Sequence, residues 1–572
     1  MLSVKSSRAL TSSRIGERAL LPALVLVVAI LSLLPLARIA IEAVMQGGAF
    51  SLEPLRRALG SPATWTATRN SLETAIGGTI LSALIGGVMA LLIGLSDIRG
   101  RNALVFCFVL PLMIAPQVTA LAWLQLFGPS SPLLGAVGLA PPLGARNPLY
   151  SRGGVIALLG LQYAPLLFLT LRAGLRALPR ELIEAARAAG AGRWTILRTI
   201  VLPLMRPSLI AGVALCFVSC LGNFGIPAFL GIPANYLVLP TLIYQRIAGM
   251  GPAVLSEVAV LSILIGAIAM LGVMAQFAFA ERRDARIITT SSRAQPMELG
   301  RWRLPIEAAL WLATLLVIAL PLLALVMTSL TPALGVPLNA GTATLKNYAF
   351  VMFEHDASRR AFRNSFGLSL AAALLIVVIA APLAYFIVWR RLRALRVLNA
   401  LIELPYAMPG VVMSIAAILL FLRPLPLLGV SIYNTVWIIL FAYLARFLVL
   451  GLRPVISGYQ QLDRAVEEAA QVAGARLPKR LVSVITPLVA PAAAAGALLV
   501  FLTAFNELTV SALLWSSGAE TLGVVVFSFE QGGDSGYASA IAALTVLVTI
   551  LLMLLTLLMA RRLPQGVLPW RD

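Results

Sequence analysis

The sequence predicts an all-α polytopic membrane protein, with about 12 transmembrane helices in two parallel six-helix repeats. Three observations predict it. The 572 residues are 60% hydrophobic and 12% charged, with a mean hydropathy of +0.94, where soluble domains carry roughly 45–50% apolar and about 25% charged residues. The apolar residues fall in runs near the ~20 that a bilayer-spanning helix requires. Landmarks of the first half then return in the second at nearly constant spacing. A soluble globule of this composition has nowhere to bury its apolar surplus and is excluded.

The runs centre on 20–42, 71–95, 103–127, 153–172, 207–231 and 254–280, then on 304–330, 365–389, 397–421, 433–452, 491–515 and 538–560. The first follows Lys5, Arg8, Arg14 and Arg18 and continues to about Ala37. That is longer than the apolar core of a secretory leader, so it reads as an uncleaved span. The net charge of +21 and pI near 11.1 raise the possibility of a nucleic-acid partner. The placement of the charges argues for membrane lipid instead. Basic blocks such as Arg282, Arg283, Arg286 and Arg390, Arg391, Arg393, Arg396 occupy alternate loops, as positive residues do on the cytoplasmic side. The opposite loops carry Glu354, Asp356, Glu520, Glu530 and Asp534. The expectation is a multi-pass bacterial inner-membrane protein with both termini cytoplasmic and no nucleic-acid partner.

The internal repeat divides the chain into 1–285 and 286–572, joined by a polar, basic linker at 281–303. Arg69-Asn70-Ser71 returns as Arg363-Asn364-Ser365, and Leu110-Pro111 with Pro116 as Leu404-Pro405 with Pro409. Glu184-Ala185-Ala186, Gly190, Pro203 and Pro207 return as Glu468-Ala469-Ala470, Gly474, Pro487 and Pro491, each displaced by 284 positions. An even number of spans per repeat points both copies the same way, as in transporters with parallel repeats.

Between the fourth and fifth spans of each half lies a patterned loop, 181–203 and 465–487. Glu181 to Ala189 consists of good helix formers with carboxylates at the N-terminal end. Gly190 is placed to end that helix in the left-handed conformation. A second helical stretch from Arg193 is expected to end near Pro203. The other copy has Glu467 to Ala470, Gly474, Arg480 to Ile485 and Pro487. A lipid-surface amphipathic helix is the rival reading of one such loop; two copies in register favour a pair of docking surfaces.

Glu-Ala-Ala, three residues, Gly, then an aliphatic residue and Pro resemble the EAA loop of membrane subunits of binding-protein-dependent ABC importers, type I. The resemblance covers about 70–280 and 363–560. It implies the fold of those permeases, and it implies that Glu184, Ala185, Ala186 and Gly190 contact one cytoplasmic ATPase subunit and Glu468, Ala469, Ala470 and Gly474 the other. It also implies a periplasmic solute-binding protein as partner. The second copy departs at Thr486, Gln471 and Val472, which suggests unequal docking sites. The chain has no G-x-x-x-x-G-K-[ST] phosphate loop and only three lysines, Lys5, Lys346 and Lys479. It therefore holds no P-loop nucleotide itself, and ATP with Mg belongs to the partner.

No catalytic group or metal site is expected. Cys107, Cys216 and Cys220 lie in apolar runs and read as small hydrophobes, and the single histidine, His355, stands between Glu354 and Asp356 as polar surface. The pathway candidates come after the two loops: Asn223 and Phe224 in the fifth span, Asn506 and Glu507 in the eleventh. A carboxylate deep in a span faces the bundle interior or water, although helix packing is the equal alternative. Arg446 is expected to snorkel near the end of its span, Glu403 to lie near a boundary, and Gln117, Gln125 and Gln162 to line a cavity. Phe-Gly-Ile-Pro-Ala-Phe-Leu-Gly at 224–231 and Glu-Thr-Leu-Gly at 520–523 most resemble the ferric-iron importer branch. Thiamine, polyamine and phosphonate permeases are alternatives, and an ion-coupled secondary transporter is a further one.

Overall fold

The computed structural model describes residues 19–46, 49–142, 144–250, 254–280, 298–390, 393–424 and 429–559. Lys5, Arg8, Arg14, Arg18, Arg282, Arg283, Arg286, Arg391, most of the linker and both termini lie outside these residues. The fold is all-α and polytopic, as predicted; a two-residue hairpin, Met45–Gln46 with Ala49–Phe50, is the only strand pairing among the described residues.

The first half comprises α1 (Ala19–Ala43), α2 (Pro62–Leu95), α3 (Arg101–Met113), α4 (Pro116–Phe127), α5 (Arg152–Arg176), α6 (Arg180–Ala188), α7 (Arg193–Gly222), α8 (Leu239–Met250) and α9 (Leu255–Ala280). The second repeats this order: α10 (Gly300–Ser329), α11 (Asp356–Arg390), α12 (Arg393–Ala407), α13 (Gly410–Phe421), α14 (Val436–Gln461), α15 (Ala465–Val472), α16 (Leu477–Phe505), α17 (Leu522–Gln531) and α18 (Ser535–Met559). Ten helices among the described residues are long and apolar enough to cross a bilayer.

The two remaining expected spans, 103–127 and 397–421, are not straight. The α3–α4 pair bends by 101° and the α12–α13 pair by 105°. The bends fall where Ala115 and Pro409 take extended backbone before a new helix starts. Proline disfavours helix in the residue before it and offers no N–H to continue the ladder. Pro116 and Pro409 thus break what hydropathy alone reads as continuous.

In each half the core is a triangle: α2, α5 and α7 pack together, as do α11, α14 and α16. Small residues allow close approach. A Cβ on Gly86 would lie 2.4 Å from the Ala164 carbonyl oxygen, and Ser82 donates to the Gly160 carbonyl at 2.9 Å. In the second half a Cβ on Gly496 would meet the Gly451 carbonyl oxygen at 2.8 Å. The first helices cross over: α1 packs between α9 and the other half's α13, and α10 between α18 and α4. Arg38 Nε donates to the Leu419 carbonyl at 3.3 Å across that seam. The halves are joined again where Asp97, in the loop after α2, accepts the Leu299 N–H at 3.0 Å and faces Arg303 at 3.3 Å. The backbone hydrogen bond first, then Arg303, holds the Asp97 carboxyl below its ordinary range. Near the start of α11, Arg360 forks onto Glu520 at 2.9 and 3.1 Å and lowers that carboxyl to about 2.

Candidate functional site

The two loops fold as matched elbows. In the first, α6 ends in a Schellman turn. Gly190 takes φ +79°, its N–H donates to Arg187 and the Ala191 N–H donates back to Ala186, both at 2.9 Å. In the second, Gly474 takes φ +82°, its N–H donates to Gln471 and Ala475 to Ala470, both at 3.0 Å. The left-handed glycines are those the sequence predicts. Nothing lies within 4 Å of a Cβ on either.

Beyond the turn, the chain departs from the expectation. The helix after Gly190 does not end near Pro203. It runs from Arg193 through a π turn at Leu197–Val201 into Leu202–Gly222, giving one 30-residue helix. The second copy does the same from Leu477 to Phe505 through Arg480–Ile485. The wide turn closes immediately before the Leu-Pro or Thr-Pro step, where proline withholds its N–H and a straight ladder is interrupted. Each elbow is therefore continuous with a core helix.

The elbows present mixed surfaces. Glu184 and Ala185 are exposed and Ala186 is half-buried. Glu468 is exposed and pairs with Arg464 at 3.3 Å. Apolar side chains stand out beside them: Leu182, Trp194, Val466, Val482 and, most exposed of all, Val472 at 89%.

The pathway candidates lie at breaks, not within spans. Helix α7 stops at Gly222 and α16 at Phe505, so Asn223, Phe224, Asn506 and Glu507 occupy the unwound segments after them. Asn223 and Glu507 are repeat equivalents and both cap the next turn. Asn223 accepts the Ile226 N–H at 2.9 Å, while Glu507 accepts the Val510 N–H at 2.8 and 2.9 Å and the Ser511 N–H at 3.3 Å. Arg446 does not snorkel. It stands mid-way along α14, and its guanidinium is 3.2 Å from the Glu507 carboxylate, both largely buried. Gly410 makes room for it, since a Cβ there would lie 1.9 Å from Arg446 Nη1. In the first half the corresponding positions are neutral. Gln162 donates to the Pro111 and Ile114 carbonyls at the α3–α4 bend, and Asn223 donates to the Tyr163 hydroxyl at 2.8 Å.

The two breaks meet at the centre. Gln117 donates to the Asn506 carbonyl and Asn506 donates to the Met113 carbonyl, each at 3.1 Å, tying the second half's break to the first half's bend. Around them Phe224 packs on Tyr244 and on Phe527 of the other half, with ring centroids 5.2 and 6.0 Å apart, and Phe229 joins the same cluster. The centre is thus closed by aromatic rings and cross-half hydrogen bonds. Sequence reasoning missed Arg446, Tyr163, Tyr244 and Phe527 as partners. The 284-residue displacement sets Glu507 and Arg446 against Asn223 and Gln162, a substitution of charge for amide that was readable.

The other candidates settle elsewhere. Glu403 pairs with Arg453 at 3.0 Å in an exposed position. Gln125 is buried. His355 caps α11 by accepting the Ser358 N–H and lies among Phe350 and Phe529 rings. Cys216 and Cys220 are buried and free, and Cys107 is half-buried and free. Among the described residues no cluster of three His, Cys, Asp or Glu could hold a metal.

The family described as binding-protein-dependent transport system inner membrane component matches the chain twice, over residues 82–287 and 376–568. A probable ABC transporter permease of Sinorhizobium fredii is 27% identical, covering 86% of each chain. A ferric transport system permease of Actinobacillus pleuropneumoniae is 25% identical over 90% of this chain and 74% of its own. A molybdenum transport system permease of Mycobacterium tuberculosis is 30% identical over 38% of this chain and 81% of its own.

Proposed function

Since the chain belongs to the family of binding-protein-dependent transport system inner membrane components, we propose that it is the permease of an ATP-driven importer that moves ferric iron to the cytoplasm from a periplasmic solute-binding protein. Its role is transport and not catalysis: ATP with Mg is bound and hydrolysed by two copies of a separate cytoplasmic ATPase. One copy docks on Glu184, Ala185, Ala186 and Gly190, the other on Glu468, Ala469, Ala470 and Gly474.

The observation that carries this reading is the pair of exposed elbows, each continuous with the helix that ends at a central break. A push on either elbow is delivered along one stiff rod to Asn223 and Phe224, or to Asn506 and Glu507, which form the closed constriction. Opening requires the ATPase to bind the two conformations with different affinity. Iron is favoured because the ferric relative is similar over 90% of this chain, both halves, whereas the molybdenum relative covers 38% of it, less than one half.

The test is ATP-dependent uptake into proteoliposomes holding the chain with its ATPase and binding protein, or growth of a deletion strain on limiting ferric salt. Ferric uptake that stops when the ATPase is omitted is the expected result. Uptake of molybdate with none of iron would replace the substrate, and uptake driven by an ion gradient alone would overturn the mechanism.

A further inference from the structure

Beneath the two elbows, equivalent positions are filled by opposite chemistry. Under the first elbow, Ile183 and Ile196 are 3% and 1% exposed and belong to a buried apolar cluster with Leu175 and Leu178. Displaced by 284 positions, Glu467 and Arg480 take their places under the second, 2% and 0% exposed, with Arg480 Nη1 2.9 Å from the Glu467 carboxylate. The chain of contacts continues. The Tyr385 hydroxyl donates to Glu467 Oε1 at 3.2 Å, and Arg390 donates to the Tyr385 oxygen at 2.8 Å. The Arg390 guanidinium also lies 5.4 Å from the Tyr385 ring centroid. Three elements converge here: α15 brings Glu467, the opening π turn of α16 brings Arg480, and the last turns of α11 bring Tyr385 and Arg390.

Packing alone does not call for this arrangement. Taking two charges out of water carries a desolvation penalty before their attraction is counted, and the first elbow shows that two isoleucines fill the same place. What a hydrogen-bonded chain adds is direction. An apolar contact tolerates sliding, whereas an ion pair joined to a hydroxyl holds one registry.

We propose that Glu467 and Arg480 are positioning residues that latch the second elbow, through Tyr385 and Arg390, to the end of α11. A push on this elbow then moves the eighth span together with the eleventh. The first elbow's buried face lacks this latch, having Ile183 and Ile196 at the corresponding sites. The two docking surfaces are mechanically unequal: the second drives two core helices through fixed contacts. The inference rests on the elbows being the ATPase docking surfaces, but the latch itself is testable in the full chain alone.

The experiment is amide hydrogen exchange with mass-spectrometric readout on the full chain in nanodiscs, without ATPase. It compares the wild type with E467I/R480I, which copies the first elbow, and with Y385F, which removes only the linking hydroxyl. The expected result is that residues 465–474 and 383–390 both exchange about tenfold faster in E467I/R480I and several-fold faster in Y385F, with thermal unfolding changed by no more than a few degrees. A purely structural pair would loosen the elbow and leave 383–390 unchanged. That outcome, or unchanged exchange at both segments in Y385F, overturns the latch. If E467I/R480I does not fold, Y385F decides. Failure of ATP-driven uptake would instead strike the docking reading and leave these exchange rates as they are.

Discussion

A single dihedral angle decides what each elbow tolerates. Gly190 and Gly474 have φ near +80° with open space around them, so a side chain there meets no clash, only backbone strain. A β-branched residue in that region costs roughly 1–2 kcal/mol, and asparagine visits it far more readily. G190V and G474V are therefore expected to insert and fold, because the elbows stand outside the spans, while ATPase co-purification and uptake fall at least tenfold. G190N and G474N are expected to retain most of both. Equal loss in the valine and asparagine variants would assign the effect to the covered surface and not to the turn. These glycines were legible from sequence because a turn residue after a helix-forming run has one physical meaning. Glu507 was less legible. Its depth was visible in the apolar run, but its two backbone donors, Val510 and Ser511, and its contact with Arg446 arise from a helix break 61 positions away from that arginine.

At the level of helices, hydropathy located every span and was blind to bends. Pro116 and Pro409 stand at equivalent places in the repeat and mark the two sharp turns, yet the apolar runs continue through both without interruption. The same blindness hid the continuity of each elbow with its core helix, since Pro203 and Pro487 read as terminators while the π turns before them carry the helix on. Packing between spans was not legible either, because it depends on which small residue faces a neighbour. Gly86 and Gly367 both lie inside long helices but differ in their surroundings. A Cβ on Gly86 would press on the Ala164 carbonyl, while a Cβ on Gly367 would meet nothing within 4 Å. G86A is expected to cost about 1–3 kcal/mol by forcing α2 from α5. G367A is expected to be neutral or slightly stabilising through the lower entropic cost of alanine in a helix. Thermal unfolding of both in detergent checks the difference, and equal melting temperatures would mean that the α2–α5 contact is looser than its geometry.

For the molecule as a whole, the repeat fixes more than the span count. Six crossings per half place the two elbows on one face and the loops joining third to fourth spans on the other. The proposed cytoplasmic face is the one with the elbows, on the ground of charge: they and the loops beside them carry Arg187, Arg193, Arg198, Arg464, Arg476 and Lys479, and short loops rich in Lys and Arg tend to stay inside. The crossed first helices and the Asp97–Leu299 tie make this assignment a joint one, because neither half is free to invert alone. Substituted cysteines read it directly. Val472 on the second elbow is 89% exposed and Leu139 on the opposite face is 71% exposed, while the native cysteines are buried or half-buried and give a low background. In intact cells a membrane-impermeant maleimide is expected to label L139C and spare V472C; in inverted vesicles the preference is expected to reverse. Labelling of V472C from outside would turn the elbows away from any cytoplasmic engine, and with them the route by which ATP hydrolysis reaches the central breaks.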